Sequence, residues 1–263
     1  MEQRHILLVF LFSFLPKSES LLNVTVPHTH QATLGTNTSI LCKFRIDYPP
    51  FDAQYLLIFW YLNDREILNY TRMYTKVKTL NSRLSINKDA TKYGLASLDI
   101  ADVRVSDEGK YTCCVLYTPE RRERKVYFWV YAPPRITVTN NIVIKDKESI
   151  LSASITGFYP VEIDIMWLRD GEILAGGTVL TPQRNTDGTY RVNSTLTIEP
   201  TEENQNQNFS IRVQHESLTA FLQEDFQLIY GDLKSLNKTS RLIFSSSTFG
   251  VWALIAWLLP YSM

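Results

Sequence analysis

The stretch Asp107-Glu108-Gly109-Lys110-Tyr111-Thr112-Cys113 constrains this chain most. It ends on a cysteine that has an earlier counterpart, Cys42, with Trp60 between the two. Each of the three sits in a short apolar or aromatic run bounded by turn residues, and no helical period connects them. Such runs read as strands, with candidates at 22–26, 39–44, 56–62, 83–86, 96–100, 110–116 and 125–131. The fold class this predicts is all-β, built as a sandwich. A chain of 263 residues has room for two such domains. Its formal net charge of zero, with both signs mixed along the chain, excludes a basic nucleic-acid footprint.

The order Cys42, Trp60, Tyr111-Thr112-Cys113 resembles the variable-type domain of the immunoglobulin superfamily. That resemblance implies a Cys42–Cys113 disulfide joining two sheets, with Trp60 packed against it and the Tyr111 hydroxyl capping a backbone corner. It also implies that Arg83, which opens an Arg83-Leu84-Ser85-Ile86 strand, pairs with Asp107 at one end of the sandwich. Cys114 is left over. Strand alternation turns it away from Cys113 and the core. Two readings stay open: a covered free thiol, or an intermolecular bridge making a homodimer through Cys114.

Pro133-Pro134 ends this first domain (21–132) with a joint that lacks backbone donors. Residues 133–230 carry Gly157-Phe158-Tyr159-Pro160, then Trp167, Asp170-Gly171, the strand-like run from Tyr190 to Ile198, and Val213-Gln214-His215. These resemble a constant-type immunoglobulin domain. In that family a cysteine stands four residues before the first glycine and another four before the histidine. Here those positions hold Ala153 and Ile211, so a folded domain without its disulfide is expected. His215, and His28 with His30, lack the further ligands of a zinc site, and structural or surface roles are expected for them.

Both ends carry targeting signals. Arg4 and His5 precede an uncharged run over 6–15, and Ser18 and Ser20 supply the small residues of a cleavage site, so 1–20 reads as a signal peptide. After a stalk (231–241), residues 242–259 are apolar apart from a Ser/Thr patch. They just reach the roughly 18 residues a spanning helix needs. The same tail also fits the signal for a lipid anchor. Secretion gives meaning to the sequons at Asn23, Asn37, Asn69, Asn193, Asn208 and Asn237 as glycosylation sites facing solvent.

No nucleophile elbow, phosphate loop, metal helix or cofactor motif appears. No enzyme, cofactor or metal is expected, and binding of a protein partner is. Sandwiches recognise partners through end loops and through one sheet face. The candidate B–C loop (45–55) is aromatic and stiffened by prolines, and Tyr48, Phe51 and Tyr55 are its candidate contacts. The candidate F–G loop (117–125) offers Tyr117, Thr118, Pro119, Arg121 and Arg122, of types enriched at interface hot spots. A glycan on Asn69 would shield the neighbouring edge.

Variable-type then constant-type, with one C-terminal anchor, resembles the B7-like ligands, in particular those of natural cytotoxicity triggering receptor 3. The shared stretches are Ala96-Ser97-Leu98, the Asp107 to Cys113 run with Thr118-Pro119, Gly157-Phe158-Tyr159-Pro160, Asp187-Gly188-Thr189-Tyr190 and His215-Glu216-Ser217-Leu218. The resemblance implies a cell-surface ligand whose first domain engages an immune receptor on another cell. Two alternatives remain: a tapasin-related chaperone of histocompatibility molecules, and an adhesion molecule or decoy.

Overall fold

A computed structural model describes residues 21–47 and 52–231. The signal segment 1–20, the stalk from 232, and the candidate anchor 242–259 lie outside them. Among the described residues no helix is long and apolar enough to cross a membrane. The chain divides after Val130 into two compact units, each a pair of packed sheets.

The first unit contains β1 (Leu22–Thr25), β2 (Thr29–Thr33), β3 (Thr38–Ile40), β4 (Lys43–Ile46), β5 (Leu56–Leu62), β6 (Arg65–Thr71), β7 (Lys76–Thr79), β8 (Leu84–Ser85), β9 (Leu98–Ile100), β10 (Gly109–Tyr117) and β11 (Glu120–Tyr131). One sheet runs β2-β11-β10-β5-β6-β7. Opposite it lie β3-β9-β8 and the β1-β4 pair. Residues 56–62 form a strand as expected, because Leu56, Ile58 and Trp60 alternate into the core. Asn63 and Asp64 then turn the chain with positive φ at both positions. The primed hairpin turn requires this, and Asn and Asp tolerate it. The expected strand 39–44 is interrupted: Cys42 lies between β3 and β4, its N–H on Ser97 Oγ (3.3 Å) and its carbonyl accepting from Ala96 N (2.8 Å).

Cys42 and Cys113 form a disulfide with Cα atoms 6.5 Å apart. Trp60 is fully buried beside it and donates Nε1–H to the Ala96 carbonyl at 2.9 Å. The Tyr111 hydroxyl donates to the Asp107 carbonyl at 2.8 Å, and burial pushes its phenol pKa up. Arg83 holds both Asp107 carboxylate oxygens at 2.7 Å and also donates to the carbonyls of Ala101 and Asp102. This hydrogen-bonding raises the Arg83 pKa. The pair closes the end of the sandwich almost out of water.

The second unit contains β12 (Arg135–Asn140), β13 (Ile142–Val143), β14 (Ser149–Phe158), β15 (Asp164–Arg169), β16 (Glu172–Ile173), β17 (Thr178–Val179), β18 (Gln183–Arg184), β19 (Tyr190–Ile198), β20 (Phe209–Gln214), β21 (Leu222–Phe226) and β22 (Ile229–Tyr230). The sheet β12-β14-β19-β17 faces β16-β15-β20-β21. Ala153 and Ile211 are both buried in one core with Trp167, Phe158 and Phe209. Across the sheets runs a relay in place of a bridge. Trp167 Nε1 donates to Ser194 Oγ (2.9 Å), which donates to the Thr178 carbonyl (3.0 Å). His215 is buried and structural, its ring nitrogens 2.7 Å from Ser217 Oγ and 3.0 Å from the Pro160 carbonyl oxygen.

Two outcomes follow for stability. Removing one partner of a nearly dry ion pair strands the other charge, so Asp107→Ala lowers first-domain stability by about 3–5 kcal/mol in chemical denaturation. A disulfide at positions 153 and 211 would contribute about 4 kcal/mol in the chain-entropy model, against about 1 kcal/mol for each hydrogen bond of the relay. The second domain therefore unfolds before the first in a calorimetric scan. A reversed order would overturn this.

Candidate functional site

The outward face of the six-stranded sheet follows from register. With Cys113 turned inward, Cys114 turns out, and the pairing places Lys78, Asn69, Phe59, Cys114 and Glu123 in one row across five strands. The next row reads Lys76, Thr71, Leu57, Leu116 and Arg121. On the other side lie Glu66, Tyr61, Thr112 and Lys125. Leu57, Phe59, Tyr61 and Leu116 are each partly exposed, and the rings of Phe59 and Tyr61 stack 6.4 Å apart. Farther along β11, Tyr127 and Trp129 stand nearly half exposed. An apolar, aromatic centre is thus rimmed by charges of both signs, the arrangement of many protein interfaces.

Cys114 is a free thiol and fully buried. Arg121 and Glu123, which pair with each other, also hydrogen-bond it. Burial pushes its pKa up, the largest influence on it. A thiol covered in this way offers no open approach to a second chain.

The candidate F–G loop is much shorter than 117–125. The register runs to Tyr117↔Glu120, leaving only Thr118 and Pro119, joined by a cis peptide, in the turn. The charges from Glu120 to Lys125 belong to β11, because alternation gives each a solvent-facing or rim position without breaking the ladder. Arg121 faces outward in the Leu116 row. Arg122 lies on the opposite side and pairs with Glu120 (3.2 Å), which also accepts from the N–H groups of Leu21 and Leu22. Tyr117 is only 9% exposed, and its hydroxyl accepts from Asp52 N at 3.2 Å. It ties the end of β10 to the segment that leads into β5. Thr118 and Pro119 are exposed, as is Tyr55 on a short 3-10 turn (Ala53–Tyr55). Tyr48 and Phe51 lie outside the described residues.

Leu57, Phe59, Tyr61 and Leu116 are not among the contacts expected from the sequence. The signal was present: Leu56 to Leu62 is apolar at every position, where a strand with one solvated face alternates. Among the sequons, Asn23, Asn37, Asn193 and Asn208 are exposed and Asn69 partly so. Asn237 lies outside the described residues. Asn69 stands directly across from Phe59 on the same face.

A model of the immunoglobulin V-set domain matches residues 25–130, and one of the immunoglobulin C1-set domain matches residues 133–218. The chain belongs to the immunoglobulin superfamily, with a variable-set domain followed by a constant-set one. It is similar to natural cytotoxicity triggering receptor 3 ligand 1 of Homo sapiens, at 23% identity over 238 residues, which are 84% of this chain and 51% of the relative. It is also similar to programmed cell death 1 ligand 1 of Mus musculus, at 26% identity over 64% of this chain and 58% of the relative. Tapasin-related protein of Mus musculus matches at 28% identity over 43% of this chain and 26% of the relative. The chain thus spans about half the length of the first of these relatives. Among solved structures, bovine butyrophilin superimposes with a TM-score of 0.62 at 18% identity, covering 80% of this chain and 100% of that one.

Since the thiolate is the reacting form, Cys114 in the folded protein stays unlabelled by a maleimide at neutral pH and reacts in denaturant. Non-reducing electrophoresis gives a monomer. Rapid native labelling, or a dimer that reducing agent dissolves, would contradict the burial.

Proposed function

We propose that this chain is a tethered cell-surface ligand that binds an immune receptor on another cell through the outward face of the β5, β10 and β11 strands. One observation carries the reading: Leu57, Phe59, Tyr61 and Leu116 form an apolar centre on a face that the domain's own core does not need. Arg121 and the exposed turn at Thr118 and Pro119 extend that centre toward one end. The likeness to two relatives whose names call them ligands supports the same reading. The secretory start, the sequons and the apolar tail at 242–259 support a location at the cell surface.

The match to tapasin-related proteins favours a second reading, a chaperone of histocompatibility molecules acting inside the cell. Surface staining of unpermeabilised cells supports the ligand, and intracellular retention supports the chaperone.

The test is a screen of the ectodomain against immune-receptor ectodomains, followed by variants. Phe59→Ala with Leu116→Ala weakens the hit at least about tenfold, equivalent to about 1.4 kcal/mol. Phe221→Ala, an exposed change on the second domain, leaves it unaltered. The opposite pattern would move the interface off the first domain.

A further inference from the structure

On the side of the first unit away from the six-stranded sheet, β1 and β4 pair with Asn23 opposite Arg45 and Thr25 opposite Lys43. Asn23 and Thr25 are two residues apart on a strand and share its exposed face. The amide and hydroxyl of the sequon Asn23-Val24-Thr25 therefore stand side by side, both open to solvent. They also line a groove of about 540 Å³, with Lys43, Arg45, Tyr93, Gly94 and Leu95 among its other walls.

The far wall carries an aromatic side chain, Tyr93, on a tightly held loop. Gly94 takes φ +77°, and a Cβ there would lie 2.3 Å from the Phe44 carbonyl oxygen. Only glycine fits, and the Phe44 N–H bond to the Gly94 carbonyl (2.8 Å) presses the loop onto β4. Tyr93 is thereby held at the rim, 83% exposed. A large aromatic left in water beside a sequon is an unused packing surface. Tyrosine joins an apolar body to a polar tip, and a pyranose likewise offers a C–H face and a hydroxyl edge. Lys43 and Arg45 on the floor can donate to those hydroxyls.

We propose that Asn23 carries an N-linked glycan whose first sugars lie in this groove against the Tyr93 ring, covering the outer face of the β1–β4 pair. The inference rests on the secretory reading above, which already names Asn23 among the sequons, and goes beyond it by assigning the groove and the Tyr93 ring that the first sugars contact. It leaves the proposed receptor face on the opposite sheet unobstructed.

The test expresses the full chain in mammalian cells and combines site mapping with a double-variant cycle. Glycosidase treatment and peptide mass mapping show Asn23 modified. Tyr93→Ala lowers the first-domain Tm by several degrees in the glycosylated chain and leaves it unchanged in the Thr25→Ala background, where the sequon is lost. Asn23 bare while another sequon is modified would overturn this proposal and spare the secretory reading. No modified sequon at all would overturn both. Equal effects of Tyr93→Ala in the two backgrounds would overturn the packing.

Discussion

Cys113 is tied to Cys42 across the two layers of the first domain, and that bond decides which side of β10 looks inward. Once Cys113 points in, pairing carries the choice sideways: Trp60 and Leu68 follow it into the core, while Cys114, Phe59 and Asn69 follow each other out. A slip of one residue would exchange the two sets. The bond therefore specifies the composition of the outer face as much as it stabilises the inner one. The hydrogen bond from Trp60 to the Ala96 carbonyl and the Arg83–Asp107 clasp hold the same register from either side.

The second domain solves the same problem with weaker means. Ile211 pairs directly with Trp167 and shares its core with Ala153, so apolar burial occupies the space of the absent bridge. The Trp167–Ser194–Thr178 relay orients the indole, and a Cβ on Gly177 would sit only 2.9 Å from that ring. These contacts specify the packing without constraining the unfolded chain, which is the contribution a disulfide makes in the chain-entropy model.

How far the sequence reveals this arrangement depends on whether a residue's role is local. The disulfide, the Tyr111 corner, the Arg83–Asp107 pair and the 56–62 strand are readable because each residue type does one thing at one spacing. The strands β6 and β7 are not among the expected ones because the apolar Ile67, Leu68 and Tyr70 of β6 do not alternate and β7 offers only Val77, and their place comes from pairing, β6 on β5 and β7 on β6. Tyr117 is read as exposed because tyrosine is common at interfaces, yet alternation along β10 sends it inward with Val115. The charge run after Pro119 resembles a solvated loop because both faces of β11 are polar there. Nothing within the run itself says where pairing stops. Phe59 and Tyr61 are the subtler case, since an all-apolar strand does not announce which face is surplus to the core.

The two-residue turn between β10 and β11 has a consequence for recognition. Immunoglobulin domains that vary long loops at this end offer a partner many conformers and surrender that freedom on contact. Here the hairpin is closed by paired strands to within two residues, and the neighbouring apolar centre lies on hydrogen-bonded backbone. In the proposed binding role such a template would surrender little entropy on docking, and adaptation to fit would fall to the partner. Change in specificity would then proceed by exchanging side chains on a fixed lattice.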